Sequence, residues 1–418
     1  MNATTYSAAV IEWLRGSAQP LSGTRAGAVG DLTPPDLTPP DLTPPDLAPL
    51  GRALGAASVV GLGESTRFSA ETFGVRERIF RILVSEYGFR ALALQDGARS
   101  GERMDRYVLG GPGTAEEALG QAWRPWRTAE LAGALEWIRA FNREHPGDPV
   151  RVFGIQPPHA EPSDYDAVLE YVRQVAPDRV ADLDAHLAPI RTAHRMDEHV
   201  QRHQGIHPGR PFAAHARDAV ALIQSLPESP ERAAALDRAR LILAFHEQSV
   251  AGRGSFAMDE SAQARRIIDR YERTGARIAY WDGIAHTAAL GSDVHGVRAL
   301  GLGGYLRERF GADYVSVAIG FHHGDLGLAV APDPAPELLD ALLGAVDLPA
   351  YTVDLRAPAA ESVRAWLDAP AELRVISGVY DPAQDEAARM TVPALAAAFD
   401  VLVHIREATP VDWLPVEQ

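Results

Sequence analysis

Charged and amide side chains stand where five apolar segments of the chain end. Glu64 follows ASVVGLG, Gln95 follows RALAL, Gln156 follows PVRVFGI, Asp282 closes ARIAYWD, and His322 follows DYVSVAIGF. If these segments are parallel strands, their carboxyl ends meet at one edge of the sheet, where such sheets bind ligands. We therefore expect these five side chains to surround a common site.

Two arginines and a histidine accompany these residues. Arg67 lies three residues after Glu64, and Arg76 lies on the helix predicted to follow, so both can reach that carboxylate. His286 follows Asp282 by four residues and is the group that titrates nearest neutrality. Arginine stays protonated and binds anions, whereas glutamine orients a substrate without transferring a proton. These properties predict that Glu64, Asp282 and His286 move protons, and that the arginines and glutamines bind substrate.

Histidines and tryptophans add further substrate-binding candidates. His322 and His323 are adjacent, and successive side chains of a strand point to opposite faces, so at most one is expected to enter a pocket. Trp123 and Trp126 could line a pocket mouth for a bulky substrate or pack a loop, and we include Trp126 among the predicted substrate-binding residues. A serine nucleophile is not predicted, because Ser65 lies in GES and not in a Gly-x-Ser-x-Gly elbow.

A metal site is not predicted. His199 and His203 have a zinc-like spacing, but the glutamate of the zinc-binding motif is absent between them. The chain has no cysteine, which excludes a thiolate nucleophile, a disulfide and a Cys-ligated zinc site. It also has no lysine, so all 40 basic residues are arginine and Schiff-base catalysis is excluded.

Apolar segments alternate with helical patterns along most of the chain. This alternation predicts an α/β fold, with a mostly parallel central sheet flanked by helices on both faces. A polar, histidine-rich and helical stretch interrupts it and predicts an inserted helical lobe. The predicted strands are 57–63, 90–95, 149–156, 276–282, 313–321 and 371–377. The predicted helices are 8–15, 73–87, 131–144 and 362–367, together with a short helix whose last residues are 305–309.

Four regions are expected from these patterns. The first contains three Thr-Pro-Pro-Asp-Leu pentads beginning at Thr33, Thr38 and Thr43, which predict an extended linker because proline fixes φ and restricts its neighbour. The regions are an N-terminal helix and Pro-rich linker (1–49), the first part of the α/β core (50–162), the helical lid (163–272) and the second part of the core (273–418).

Composition limits the partners of the protein. The 418 residues carry a formal net charge of −16, which argues against broad nucleic-acid binding because phosphate contacts need a basic face. No apolar run approaches the roughly 20 residues that span a bilayer, and the N-terminus lacks the pattern of a secretory signal. We therefore expect a cytoplasmic protein whose partner is a small molecule.

Several segments, in the same order, resemble the erythromycin esterase family. The segment GLGESTRFSAETFGVRERIF resembles a family signature in which a strand ends in Gly-Glu-x-x-His and an arginine follows on the next helix. FRALALQDGARSGERMDRYV, WRTAELAGALEWIRAFN, VRVFGIQ, the run 253–258, IAYWDGIAHTA and LGGYLRERFGADYVSVAIGFHHG resemble later segments. The resemblance covers about residues 50–330. It implies an α/β fold with an inserted helical lobe and metal-independent ester hydrolysis, best known on macrolide lactones.

The resemblance carries over to some site positions. Glu64 matches the family's first glutamate, Arg76 matches its helix arginine, and His286 matches the second histidine of a later pair. The remaining positions depart from the pattern. Arg67 stands where the family has its histidine base, and Gln95 stands where a second glutamate is expected.

Two further departures remove titratable groups. Gln156 stands where an aspartate is common, and Gly283 replaces the first histidine of the later pair. A fixed cation and neutral dipoles can polarise a carboxylate, a carbonyl or an enolate, but they cannot activate water as a histidine base would.

Three functions follow as hypotheses. The first is an enzyme of specialised metabolism, such as antibiotic biosynthesis or polyketide tailoring, that cyclises, dehydrates or isomerises a bulky oxygenated molecule without a cofactor. The second is a carboxyl ester or lactone hydrolase that uses His286 as its base. The third is a non-catalytic protein that binds a small molecule or confers resistance by sequestering it.

Overall fold

The computed structural model describes residues 8–25, 46–158, 160–191, 209–251, 259–294, 297–376, 378 and 380–415. Most of the Thr-Pro-Pro-Asp-Leu repeat region lies outside these residues. The pair His199 and His203 and the run 253–258, which the sequence analysis singled out, also lie outside them.

Nine strands of the described chain form one mixed sheet. Its order is β1, β10, β13, β8, β2, β5, β3, β4, with β9 paired to β8. The central neighbours β13, β8, β2, β5 and β3 run parallel to one another, and β10 and β1 extend one side in antiparallel fashion. The strands are β1 (Gln19–Pro20), β2 (Val59–Glu64), β3 (Phe89–Gly97), β4 (Arg151–Gln156), β5 (Arg277–Gly283), β6 (Ser292–Val294), β7 (Val297–Ala299), β8 (Tyr314–Asp325), β9 (Val330–Ala331), β10 (Ala350–Asp354), β11 (Ala371–Arg374), β12 (Arg389–Val392) and β13 (Val401–Ala408).

Helices lie between these strands along the described chain. They are α1 (Ala8–Ser17), α2 (Ala48–Leu54), α3 (Ala70–Tyr87), α4 (Ala98–Val108), α5 (Ala115–Leu119), α6 (Ala129–Glu144), α7 (Pro162–Val175), α8 (Val180–Arg191), α9 (Phe212–Gln224), α10 (Pro230–Ala251), α11 (Ser261–Thr274), α12 (Ile284–Thr287), α13 (Leu302–Phe310), α14 (Leu339–Leu343), α15 (Glu361–Leu367) and α16 (Leu395–Ala398). Short 3-10 turns span Arg124–Trp126, Pro177–Arg179, Gly311–Asp313 and Pro382–Ala387. No helix among the described residues is both long enough and apolar enough to cross a bilayer.

The predicted α/β class, with a mostly parallel sheet and flanking helices, is confirmed. Each predicted strand of the main sheet corresponds to an observed one, with ends that differ by a few residues. The C-terminal part differs more. The strand predicted over 371–377 ends at Arg374 and belongs to a second sheet of order β11, β12, β6, β7, and the analysis did not predict β10 or β13.

The described chain divides into two compact units. One contains the residues up to Ile155 together with those from Asp259 onward, and the other contains residues 156–258. The described residues of the second unit are helical and pack around their own apolar cluster, which includes Tyr165, Leu187 and Phe212. The four regions predicted from the sequence remain a prediction.

Both faces of the main sheet are buried in the first unit. One face carries Leu62, Val317 and Ile405 in a large cluster with helices α3 and α6. The other face carries Tyr280 and Tyr314 in a cluster with helices α11 and α13. A parallel sheet with helices on both faces buries continuous apolar strands, which explains why these strands have no alternating pattern.

One close helix–strand contact depends on glycine and gives a test of the fold. A Cβ at Gly101 on α4 would lie 2.0 Å from the backbone nitrogen of Gly154 on β4, so neither element can move aside cheaply. We expect Gly101→Ala to lower the free energy of unfolding by roughly 1–3 kcal/mol. Gly133 on α6 has no atom near its Cβ position, and there the same substitution should raise stability by up to about 1 kcal/mol. Urea titration of both variants checks this, and equal effects would contradict the packing.

Candidate functional site

Glu64 is the last residue of β2, in the middle of the sheet. The strand pairs on one side with β5, where Glu64 is opposite Gly283, and on the other with β8, where it is opposite Ile319. The carboxylate is 2% exposed. A carboxylate at such depth needs a cationic partner, because an unpaired buried charge is strongly unfavourable.

Helix α3 provides that partner. It begins after Ser69, whose hydroxyl accepts a hydrogen bond from the Thr72 amide and caps the helix. Two turns later Arg76, which is fully buried, donates through Nη1 to Glu64 Oε2. Its guanidinium also lies over the rings of Phe73, Trp126 and Trp281, with 4.6 to 5.3 Å from Cζ to the ring centroids.

Arg67 lies in the turn between β2 and α3 and contacts three polar side chains. Its Nε is 3.2 Å from Glu64 Oε1, its Nη2 donates to Gln95 Oε1 at 2.9 Å, and Nη2 is 3.6 Å from Asp282 Oδ1. The guanidinium stacks on Trp123 at 4.2 Å from the ring centroid. Arg67 thus joins the ends of β2, β3 and β5.

Residues at the end of β3 form hydrogen bonds with two tryptophans, Trp123 and Trp126. Asp96 is buried and accepts hydrogen bonds from the amides of Gly97 and Trp123, at 2.6 and 3.1 Å. Burial raises the pKa of Asp96 to about 6. Trp126 donates to the Gln95 carbonyl and is 2% exposed, which places it in the core beneath Arg76 and not at a pocket mouth. The partly exposed Trp123 is the tryptophan that contacts Arg67.

Asp282 accepts hydrogen bonds from two residues of its own strand, β5. Tyr280 donates its hydroxyl proton to Asp282 Oδ2, and the Gly283 amide donates to Oδ1 at 2.7 Å. Burial raises the pKa of Asp282, while His286 and Arg67 oppose that shift. Tyr280 and Gly283 therefore bind both oxygens of Asp282.

His286 lies on the one-turn helix α12 and is bound by Glu260. The His286 Nδ1 is 2.5 Å from Glu260 Oε1, and the Leu302 amide donates to Glu260 Oε2 at 2.6 Å. Burial alone would lower the pKa of His286, but the carboxylates of Glu260 and Asp282 outweigh burial and raise it to about 9. His286 is therefore an imidazolium at neutral pH, a proton donor and not a base.

Glu64, unlike His286, is suited to accept a proton. Burial raises its pKa to about 7, against the lowering effect of Arg76 and Arg67. Its Oε1 is buried and forms an ion pair with Arg67 Nε, but it accepts no hydrogen bond from the residues that the structure describes. A carboxylate oxygen with an unused lone pair and a pKa near neutrality can accept a proton.

The structure gathers Glu64, Arg67, Arg76, Gln95, Asp282 and His286, but it places His322 and His323 elsewhere. The predicted opposite orientation of these two histidines is wrong, because both rings turn toward Asp333 and their Nδ1 atoms lie 2.9 Å apart. The two rings contact each other, and the His322 ring also packs against His404 on β13. Gln156 is the half-buried last residue of β4.

Glu260 was missed by the sequence analysis. It caps the beginning of α11 and comes two residues after the run 253–258 that resembles a family segment. The rule of strand ends cannot find it, because Glu260 precedes a helix and does not follow a strand. Together, a buried base, a protonated histidine and a fixed guanidinium can remove a proton, donate a proton and stabilise an oxyanion.

The chain matches known proteins over most of its length. The sequence pattern of the erythromycin esterase family matches residues 84–408. The chain belongs to the erythromycin esterase family. Membership of this family indicates an enzyme that acts on a small molecule. The matched residues begin after Glu64, Arg67 and Arg76, and they include Asp282 and His286.

Three solved structures share the fold. A Bacillus cereus protein is 22% identical, with 97% of this chain and 98% of that chain covered and a TM-score of 0.64. A succinoglycan biosynthesis protein is 21% identical, with 98% of each chain covered and a TM-score of 0.64. A mutant erythromycin esterase in its open conformation is 19% identical, with 89% and 96% covered and a TM-score of 0.58.

Proposed function

We propose that this protein is a cofactor-independent enzyme of specialised metabolism that transfers protons on a bulky, oxygenated small molecule. The observation that carries the proposal is that the Arg67 guanidinium lies beside two buried groups of opposite character: Glu64, with which it forms an ion pair, and His286, which Glu260 binds. A base and an acid with separated roles are what cyclisation, dehydration or isomerisation requires. A polyketide-derived substrate and a cytoplasmic location are further parts of this proposal.

The reaction would begin at a carbon next to a carbonyl group. Glu64 Oε1 would take the proton from that carbon, and the electrons of the C–H bond would move to the carbonyl oxygen. Arg67 would stabilise the resulting enolate oxygen, because a fixed cation in a buried site does not need to reorient as charge develops. His286 would then donate its Nε2 proton to the enolate carbon in an isomerisation, or to the leaving oxygen in a dehydration.

The substituted position favours this reaction over water activation. Arg67 cannot remove a proton from water, and its Nε lies 3.2 Å from Glu64 Oε1, on the carboxylate that Arg76 also binds. Its hydrogen bond to Gln95 uses Nη2, which leaves Nη1, among the described residues, for a substrate oxygen. The Gln95 side chain accepts a hydrogen bond from Arg67 and so orients the guanidinium without adding a charge.

Ester or lactone hydrolysis is the second candidate. Family membership and the pKa of Glu64, at about 7, both favour it, because a carboxylate of this basicity could remove a proton from water. The version in which His286 is the base is not supported, since Glu260 keeps that ring protonated at neutral pH.

Isotope labelling separates the candidates. Pure full-length protein is incubated with a panel of macrolides, lactones, keto acids and esters in deuterium oxide enriched in oxygen-18, and the products are analysed by mass spectrometry. The proposal predicts a product or recovered substrate that gains deuterium at carbon without gaining oxygen-18. An acid product that carries one oxygen-18 would overturn it in favour of hydrolysis.

Variants tie the labelling to the site. His286→Ala should abolish the deuterium gain. The control is His145→Ala, which changes an exposed histidine at the C-terminal end of α6 and should leave the deuterium gain intact. Tight binding of a panel compound with neither label incorporated would contradict the proposal and favour a binding or resistance protein.

A further inference from the structure

The hairpin formed by β8 and β9 carries a second cluster of polar side chains. Its register pairs Gly324 with Ala331, and the same register brings Asp333 level with His322. His322 Nδ1 and His323 Nδ1 are 2.9 Å apart, and Asp333 Oδ1 is 3.5 Å from each of them. We call His322, His323 and Asp333 the hairpin cluster.

We propose that the hairpin cluster is a binding site for a divalent transition metal, with zinc as the ion that fits its donors. A triangle with these three edges leaves a position about 2.0–2.1 Å from all three atoms, which is the bond length of zinc to histidine nitrogen and carboxylate oxygen. Two imidazoles and one carboxylate also match zinc in chemical type. Water would complete the coordination, because Asp333 is 80% exposed.

A buried arginine fixes the two backbone segments that carry the donors. Arg374 is fully buried, and its Nη1 donates to the carbonyl of His322 at 2.6 Å and to the carbonyl of Pro332 at 2.8 Å. Its Nη2 is held by Asp385 at 2.9 Å. One guanidinium thus links the strand of the histidines to the residue before Asp333, so the donors are brought together without an ion.

The orientation of His322 is also set by packing. A Cβ at Gly344 would lie 2.3 Å from His322 Cδ2 and 2.5 Å from its Nε2, so that edge of the ring lies against the Gly344 backbone. The Nδ1 edge faces the other two donors. This close approach limits the rotation of the ring and keeps Nδ1 directed at the other two donors.

The site would stabilise the hairpin and would not take part in the proposed reaction. It shares no residue with the Glu64 site, so it does not conflict with the metal-independent hydrolysis that the family resemblance implies. Without an ion, the two histidines can share a hydrogen bond in which one Nδ1 donates to the other.

Calorimetric titration with zinc chloride tests the proposal. Tag-free full-length protein is stripped with a chelator and titrated, and we expect one zinc ion per chain. His323→Ala and Asp333→Ala should each weaken the affinity at least about tenfold. Both side chains are at least 36% exposed, so these variants should keep the fold, which circular dichroism checks. Cobalt substitution should give visible absorption bands that are lost in both variants.

A double variant of other histidines provides the control. His199→Ala with His203→Ala removes the pair with zinc-like spacing, and it should leave the affinity unchanged. Absence of stoichiometric binding would overturn the proposal. Equal affinity in the Asp333→Ala variant, or loss of binding in the control alone, would overturn it as well.

Discussion

Replacing Glu64 by Gln should lower kcat by about 10²- to 10⁴-fold, the range that a positioned general base contributes. The amide can still accept a hydrogen bond from Arg76, but it cannot accept a proton at neutral pH. The measurement is the rate of deuterium exchange on the panel substrate that shows the fastest exchange. The effect should appear in kcat more than in KM, since Arg67 remains to bind the substrate oxygen.

A second buried carboxylate on helix α3 provides the matched control. Glu77 is also buried and pairs with Arg81, and burial raises the pKa of Glu77 as it does that of Glu64. Glu77→Gln should leave kcat within about twofold of the wild type, and thermal unfolding should show whether either variant loses stability. A Glu64→Gln variant with unchanged kcat would contradict the role of this carboxylate, whatever its stability.

The rate should depend on pH with a maximum between about 7 and about 9. Glu64 accepts a proton only when ionised, so kcat/KM should rise as pH passes its pKa of about 7. His286 donates only when protonated, so the rate should fall as pH passes its pKa of about 9. Glu260→Gln removes the carboxylate contact of His286, and the basic limb should then move to lower pH.

A neighbouring carboxylate controls for this change. Asp259 is exposed, and it accepts hydrogen bonds from the Ser261 amide and the Tyr305 hydroxyl at 2.9 and 3.1 Å. Asp259→Asn should leave the basic limb in place. A rate that keeps rising above pH 9 would indicate a neutral histidine acting as base, and an unmoved limb in Glu260→Gln would show that Glu260 does not set the charge of His286.

The strands that position the site were predictable because each is an apolar run bounded by turn residues. Strand β2 and strand β5 were located within two residues of their observed ends. Of the second sheet, β11 was predicted within a few residues, but β6, β7 and β12 were not. These strands have three or four residues, and the pairing of β12 with β6 joins residues as distant in sequence as Thr391 and Asp293. Segments this short carry no usable period, and their pairing depends on the tertiary fold.

The rule of strand ends predicted the site only where those ends lie at the same level. Glu64, Gln95 and Asp282 meet because β2, β3 and β5 are neighbours and end near one another. His322 is separate because β8 continues six residues beyond Ile319, the partner of Glu64. Glu260 was not predictable by this rule, since it precedes a helix and contacts two others, through His286 on α12 and the Leu302 amide at the start of α13.

The protonation state of His286 tests the central claim most directly, since it needs no substrate. Histidine-selective isotope labelling with NMR titration can follow the ring, and the absence of its signal in His286→Ala assigns it among the 14 histidines. We predict an imidazolium at pH 7 that loses its proton at about 9. A neutral ring at pH 7, titrating near the ordinary value of about 6.5, would contradict the acid role of His286 and the reaction proposed for this site.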